Sequence, residues 1–380
     1  MILNKLLANN YIELWCRLFY CCRGGIKYKI IVPVFIAAFI LFLIVFQLTG
    51  PSEDDLIDHV IKPDPLVMVW EHAAVTPDPD TIEPMKAVQV VSPTWLHVID
   101  RDGSIEDLTD LEYIAWARNH GYQIWVLVTN SFDPGITADI LTSESKRLAV
   151  ASDIVEIAVY YGFEGINIDF ENFSGDYRDE FSSFIADLAL LCRENEIILS
   201  VDVTMVSTSE YWSLGYDRGA IAELADYLVI MAYDEHWQAS PVAGSVASLP
   251  WVERGLARIL EDVPPEQIIL GVPFYTRLFE VDVSGDIPIV LNSWSYSMHR
   301  AEEIIENYDA EIYWDEEAGQ HVARYEKDNL TYIMWLENET SMRQRLELVN
   351  KYQLAGVAAW RRGLENPEIW DLFVDKLTGN

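Results

Sequence analysis

Cysteine is scarce in this sequence. Of four cysteines in 380 residues, Cys16, Cys21 and Cys22 lie close to the N-terminus, and Cys192 is the only one in the rest of the chain. No disulfide can therefore form within the main part of the protein. Cysteines and histidines at the spacing of zinc ligands are also missing, so we expect no zinc site and no cofactor.

Basic residues are few as well. Lysine and arginine number 26 against 61 aspartates and glutamates, which gives a formal net charge of −35. Residues 1–52 hold five basic residues and one acid, so the acidity lies in the remainder. A surface of this sign repels phosphate backbones, which excludes nucleic acid as a partner. It suits a neutral or cationic ligand.

One stretch, residues 30–52, carries no charge, and its first 19 residues are almost wholly apolar. About 20 apolar residues span a bilayer, and the basic residues before the stretch put that end in the cytoplasm. We predict a cytoplasmic basic tail over 1–29, a transmembrane signal anchor over 30–50 and a linker over 51–65. A cleaved signal peptide is the alternative, but residues 47–51 form a poor cleavage site.

Beyond the linker, apolar runs typical of strands alternate with helical patterns, as in a repeated βα unit. Eight such strands predict an α/β fold, the closed (β/α)8 or TIM barrel, over residues 66–380. The pattern predicts helices over 111–120, 143–161 and 177–195. It predicts strands over 66–71, 87–95, 123–128, 162–173, 197–203, 226–234, 267–275 and 356–360.

The stretch between the seventh and eighth strands is too long for a structureless loop, at about 60 residues. It contains aromatic, strand-like runs at 311–314 and 331–335. We therefore predict a small α+β insertion over about 278–341, which forms one wall of a groove.

Polar and apolar residues alternate strictly along the fourth predicted strand. Asn167, Asp169 and Glu171 share one face, and apolar residues share the other. Two acids and an amide in a row are costly in an ordinary core. At the C-terminal end of a barrel strand, however, inward polar residues form catalytic sites. An exposed acidic edge strand is the alternative, and the apolar runs on either side argue against it.

The spacing of the two acids suggests their chemistry. Positions two apart on a strand face are about 6.5–7 Å apart, so Asp169 lies beside Glu171. Burial and a neighbouring carboxylate both raise the pKa of a carboxylic acid, which would keep Glu171 protonated as a general acid. A metal site is the competing interpretation, but divalent cations take several oxygen ligands, and no second acidic cluster pairs with this one.

The run EGINIDFE at 164–171 resembles the signature of glycoside hydrolase family 18, the chitinase-like barrels. Two further motifs extend the resemblance in the expected order, MAYD at 231–234 and Trp360 in the eighth strand. Together they cover the chain from about residue 65 to the C-terminus. The resemblance implies Glu171 as proton donor, and Trp360 as the floor of the −1 sugar site.

The same resemblance implies that Asp169 positions the 2-acetamido group of the substrate. Two positions depart from the family, because Glu164 and Asn167 stand where aspartate is usual. Asn167 can still hydrogen-bond Asp169, but it cannot share a proton with it. The signature with asparagine at position 167 and the run YDEHW at 233–237 resemble those of a bacterial branch of the family. That branch contains the spore cortex-fragment lytic N-acetylglucosaminidases.

The remaining candidates come from the neighbourhood of these motifs. Tyr233 could be a core tyrosine, but its place beside Asp234 at a strand end favours the site. Some tryptophans, Trp335 among them, could stack on sugars, and Arg277 could contact a substrate carboxylate. We predict Glu171, Asp169 and Tyr233 as catalytic, and Asn167, Asp234, Trp360, Trp95, Trp237, Tyr275 and Arg277 as substrate-binding.

The sequence thus predicts a membrane-anchored bacterial glycosidase, expected to be a monomer, with its catalytic domain outside the cytoplasm. We expect it to cleave β-linked N-acetylglucosamine glycans by a retaining, substrate-assisted mechanism, with peptidoglycan or its fragments as substrate and chitin oligomers as the alternative. A non-catalytic sugar-binding protein of the same fold is a further alternative, against which the retained acids argue. A third alternative is a metal-dependent lyase or isomerase on the same barrel. Sensitivity to chelators would distinguish it from the glycosidase.

Overall fold

The computed structural model describes residues 64–72, 79, 81–285 and 287–378. The predicted fold class needs correction in its membrane part. Among the residues described, no helix is both long enough and apolar enough to cross a membrane. The predicted anchor at 30–50, like the tail and most of the linker around it, lies outside the described residues.

The described strands fall into two sheets. In chain order they are β1 (Leu66–Glu71), β2 (Val90–Val98), β3 (Ile105–Asp107), β4 (Gln123–Thr129), β5 (Gly165–Asp169), β6 (Ile198–Thr204), β7 (Tyr227–Met231), β8 (Ile268–Pro273), β9 (Tyr275–Asp282), β10 (Ile289–Ser297), β11 (Glu311–Asp315), β12 (Gln320–Lys327), β13 (Leu330–Trp335) and β14 (Gly356–Trp360).

The first sheet is a closed parallel barrel. Its strands follow the order β1, β14, β8, β7, β6, β5, β4 and β2, and the pairing of β2 with β1 closes the ring. The short β3 adds to β2 in antiparallel fashion. The predicted (β/α)8 barrel is therefore confirmed.

Helices cover the outside of the barrel, and short polar residues begin several of them. Asp110 and Asp133 each accept two backbone N–H bonds at a helix N-terminus. The helices are α1 (Leu111–Asn119), α2 (Pro134–Leu141), α3 (Glu144–Tyr161), α4 (Arg178–Glu194), α5 (Arg218–Leu224), α6 (Leu249–Ile259), α7 (Met298–Tyr308), α8 (Glu339–Tyr352) and α9 (Ile369–Leu377).

The barrel interior is filled by side chains and is not a pore. Trp125 stacks on Tyr227 inside it, with ring centroids 5.5 Å apart. Gly165 makes room for this ring, because a Cβ there would lie 2.6 Å from Trp125. The apolar filling gives way to polar side chains toward the C-terminal ends of the strands, where Asn167 and Asp169 lie.

The second sheet is the insertion between β8 and β14. Its antiparallel strands follow the order β10, β9, β13, β12 and β11, and α7 contributes to its hydrophobic core. The insertion begins at Tyr275, two residues after the barrel strand ends at Pro273. The last residues of the predicted range, up to Ser341, belong to α8 of the barrel.

Candidate active site

The predicted acids converge at the C-terminal end of β5. Asn167 and Asp169 are buried inside the barrel, at 0% and 6% exposure. Glu171 follows two residues beyond Asp169, past the end of the strand, and lies close enough for each carboxyl group to shift the pKa of the other. The strand alternation thus aims all three side chains at one place, as the sequence predicts.

Asn167 is held by four neighbours, which use its whole amide. Its Oδ1 accepts from Trp70 Nε1 at 3.0 Å and from Ser92 Oγ at 3.2 Å. Its Nδ2 donates to Ser200 Oγ at 3.1 Å and to Asp202 Oδ1 at 2.6 Å. The predicted partner of Asn167 was Asp169, so this expectation is corrected: the amide is bonded to Asp202 instead.

Asp202 is an acid of the site that sequence reasoning missed. It lies on β6 at 1% exposure, next to the two predicted acids. The signal was present, because Ser200 and Asp202 alternate with Leu199, Val201 and Val203 as polar residues alternate on β5. The structure therefore brings a third carboxyl group into the site.

The pKa values of all three acids in this cluster are raised, mainly by burial. Burial raises the pKa of Asp169 to about 7 and raises the pKa values of Glu171 and Asp202 well above their usual range. For Glu171 the charges of Asp169, Asp202 and Asp234 add to the effect of burial. The hydrogen bond from Glu171, in contrast, lowers the pKa of Asp169. Glu171 and Asp202 thus hold a proton more tightly than Asp169, which is the group that ionises more readily.

Asp169 has one unsatisfied oxygen. Its Oδ1 is buried and has no hydrogen-bond partner among the described residues. Buried acceptors in native proteins are normally paired, so such an atom marks a place where a ligand donor is expected. A neutral N–H on a bound molecule would satisfy it without adding charge.

Aromatic rings surround the acids. Trp70 packs edge-on against Trp360, with centroids 5.8 Å apart, and against Tyr233 at 6.4 Å. Tyr233 in turn packs on Tyr275 at 6.3 Å. Burial raises the pKa of Tyr233 well above its usual value, so its hydroxyl stays a hydrogen-bond donor. Trp70 was not predicted, although it sits on the first strand as Trp360 sits on the last.

Asp234 follows Tyr233 in a left-handed conformation, with φ at 61°. Its Oδ1 accepts from the Tyr275 hydroxyl at 2.5 Å and from Arg277 Nη2 at 2.9 Å. Arg277 is 5% exposed and paired with Asp234, so its role here is to orient that carboxylate. Its contact with a substrate carboxylate stays a prediction.

The predicted tryptophans separate into two kinds. Trp95 is fully buried on the outer side of β2, packed on Tyr113 of α1 and on Phe163. The prediction that Trp95 binds sugar is wrong, because its ring lies between barrel and helices. Trp237 is 57% exposed in the segment after β7, and its contact with substrate stays a prediction.

His236 and Trp335 are each held by a hydrogen bond to another part of the fold. His236 bonds the carbonyl of Ser245 at 2.8 Å and so holds the segment between β7 and α6. Trp335 donates from Nε1 to Asp315 at 2.8 Å within the insertion sheet.

Within the described part of the chain, no group of three or more His, Cys, Asp and Glu is arranged to hold a metal ion.

Comparisons with known proteins agree with this geometry. Residues 88–365 match the family described as glycosyl hydrolases family 18. A glycosylase of Bacillus subtilis called YvbX, itself uncharacterised, is 24% identical over 283 residues, or 71% of this chain and 80% of that protein. The cortical fragment-lytic enzyme of the same species is 24% identical over 71% of this chain and 63% of its own length. The chain thus spans less than two-thirds of that enzyme.

Solved structures share the fold. The spore cortex-lytic enzyme SleL of Bacillus megaterium superposes with a TM-score of 0.73 at 20% identity, over 83% of this chain and 76% of that one. The C-terminal domain of a chitinase-like protein from Desulfitobacterium hafniense superposes with a TM-score of 0.72 at 23% identity, over 82% of this chain and 98% of that one. At these identities the likeness concerns the fold. The family match, which covers most of the chain and includes the acids, shows that this protein belongs to glycosyl hydrolase family 18 and is a glycosidase.

Proposed function

We propose that the protein hydrolyses β-linked N-acetylglucosamine glycans, with peptidoglycan or its fragments as substrate, by a retaining mechanism in which the substrate's acetamido group assists. The observation that carries the proposal is the unpartnered, buried Oδ1 of Asp169 beside the protonated Glu171. Relatives named cortical fragment-lytic enzymes support the choice of peptidoglycan. Because that polymer lies outside the bacterial cytoplasm, the proposal puts the barrel there too.

Each residue has a role in the first half of the reaction. Glu171 gives its proton to the glycosidic oxygen as the bond to the anomeric carbon breaks. The acetamido oxygen of the −1 sugar attacks that carbon and closes an oxazolinium ring. Asp169 accepts the acetamido N–H and balances the positive charge of the ring, while the Tyr233 hydroxyl donates to the acetamido oxygen before it attacks.

The second half returns the site to its first state. Glu171, now a carboxylate, takes a proton from water, whose oxygen attacks the anomeric carbon and opens the ring. The new bond forms on the face from which the leaving group departed, so the configuration is retained. No carboxylate nucleophile is needed, which fits the position of Asp169 on the same strand face as Glu171.

Digestion of purified peptidoglycan tests the proposed substrate. The protein is incubated with intact polymer, with cortex fragments and with chitin oligomers, and new reducing ends are identified by mass spectrometry after borohydride reduction. N-acetylglucosamine ends from peptidoglycan support the proposal. Muramic acid ends contradict it, and turnover of chitin oligomers alone assigns the protein to chitin.

A further inference from the structure

Glu171 lies where the barrel's own backbone pairing has ended. The last pair between β4 and β5 joins Thr129 to Asp169. The peptide groups of Glu171 therefore have no place in the strand ladder. A catalytic group nevertheless needs to be held within about 0.5 Å of its working position.

The side chain of Asn130 takes the place of the missing ladder. Asn130 directly follows β4, and its Oδ1 accepts the backbone N–H of Glu171 at 3.1 Å. Its Nδ2 donates to the backbone carbonyl of Glu171 at 2.6 Å. These two bonds grip Glu171 on both sides of its Cα atom, as a neighbouring strand would.

The Asn130 amide is itself fixed. It is fully buried, and its second N–H donates to Thr137 Oγ1 on α2 at 2.8 Å. The Thr137 hydroxyl has already given its proton to the Asp133 carbonyl at 2.8 Å, so it accepts from the amide. Asn130 Oδ1 also accepts from Phe132 N–H at 3.2 Å. Only one orientation of the amide satisfies all of these partners.

Two further features indicate that the backbone around Glu171 is held in place. From the β6 side, the buried Tyr216 hydroxyl donates to the carbonyl of Phe170 at 2.8 Å, so the segment is held from both directions. Ser131 and Phe132, directly after Asn130, have φ values of 55° and 54°. A left-handed conformation is strained for a residue with a side chain, and it persists where the surroundings impose it.

We propose that Asn130 is a positioning residue of this glycosidase. It fixes the peptide of Glu171, so that the carboxyl group stays against Asp169 and in reach of the glycosidic oxygen. Asn130 acts through Glu171, because its buried amide is bonded to the Glu171 peptide, Thr137 and Phe132. The inference rests on the proposed role of Glu171 as the acid.

The variant Asn130→Ala tests it. We expect kcat to fall by ~10–100-fold with KM nearly unchanged, because a displacement of about 1 Å at a reacting group costs up to that factor. The alkaline limb of the kcat–pH profile should also move to lower pH. Once released, the Glu171 carboxyl group moves away from Asp169 toward solvent, which lowers its pKa.

Two companion variants keep the test decisive. Thr137→Val leaves both bonds from Asn130 to Glu171. It removes the hydroxyl that orients the amide, together with that hydroxyl's bond to the Asp133 carbonyl. A smaller shift in the same direction is therefore expected even if Asn130→Ala folds poorly. Asn350→Ala is the matched control, because it removes a distant bond from an asparagine side chain to the carbonyl of Lys376. Thermal unfolding of all three variants separates loss of fold from loss of rate.

The outcomes are distinct. A folded Asn130→Ala protein with normal kcat, or with reduced kcat and an unmoved pH profile, overturns the positioning role. If Glu171→Gln retains activity, the proposed function fails instead. If Glu171→Gln is inactive while both support variants behave as wild type, only this inference fails.

Discussion

At the scale of single residues, the chemistry depends on which carboxyl group keeps a proton. Three acids, Asp169, Glu171 and Asp202, are crowded into the end of a barrel, where Asp169 and Asp202 are buried and Glu171 is half-buried. Crowding and burial together disfavour a second and a third charge. The result is a site with an acid that is still protonated near neutral pH and a neighbour that can ionise.

The role of Glu171 can be checked by one isosteric change. Glu171→Gln keeps the shape of the side chain and removes its proton. We expect a folded protein that binds glycan and turns over at least ~100-fold more slowly, the usual scale for a general acid. The test measures steady-state kinetics and glycan binding in parallel. A near-normal kcat would remove Glu171 from the mechanism.

Asp202 should make the free energy of unfolding depend on pH. Its pKa is raised in the folded state by burial, so between the unfolded and folded pKa values the folded protein binds more protons. The free energy of unfolding therefore falls as pH rises from about 4 through this window. Asp202→Asn cannot titrate, so denaturant unfolding at about pH 5 and about pH 8 should show a smaller fall than wild type. Equal falls would contradict a raised pKa at this position.

The sequence predicts the site well where the strand period is applied, and fails where it is not. The period on β5 places Asn167, Asp169 and Glu171 correctly. The same period on β2 puts Ser92 inside the barrel and Trp95 outside, and on β6 it puts Asp202 inside. The contact of Asn130 with Glu171, by contrast, joins two loops through a side chain, which no local pattern in the sequence reveals.

At the scale of elements, the eight barrel strands follow from their apolar runs, but their ends do not. The seventh strand was predicted as one run over 267–275, whereas the structure divides it at Phe274 into β8 and β9. Phe274 N–H bonds the carbonyl of Trp360 at 2.7 Å, so tertiary contact decides the break. A continuous apolar run contains no signal for such a bend.

One buried ion pair connects the insertion to the barrel. Glu337, just after β13, meets Arg345 of α8 at 2.8 Å, and both side chains are almost fully buried. Glu337 also accepts from Gln320 Nε2 at 2.9 Å and from Ser341 Oγ at 2.9 Å. Its backbone N–H donates to Thr276 of β9 at 2.9 Å. The junction therefore contains a buried carboxylate whose two oxygens both accept hydrogen bonds.

Breaking this pair should be costly. Glu337→Gln leaves the Arg345 charge buried without a partner, so we expect the free energy of unfolding to fall by about 3–5 kcal/mol. Glu339→Gln is the control, because its pair with Arg343 is largely exposed and should contribute little to stability. Denaturant titration compares the two, and similar losses would contradict the importance of burial.

At the scale of the whole molecule, the net charge of −35 acts on any charged substrate. A peptidoglycan with free carboxylates is repelled at low ionic strength, while a neutral chitin oligomer is not. We expect kcat/KM for the anionic glycan to rise as salt is raised from ~0.01 M to ~0.15 M, since screening shortens the reach of the repulsion. A matched neutral oligomer should show little change, and an equal response of both substrates would contradict this account.

The most direct test of the central claim compares an N-acetylated β-linked glucosamine glycan with the same glycan after de-N-acetylation, and follows the product anomers by NMR. Substrate assistance requires the acetamido oxygen as the nucleophile, with Asp169 and Tyr233 holding it. We predict that only the acetylated glycan is cleaved at an appreciable rate and that the β-anomer appears first. Efficient cleavage of the de-N-acetylated glycan, or first appearance of the α-anomer, would contradict the mechanism.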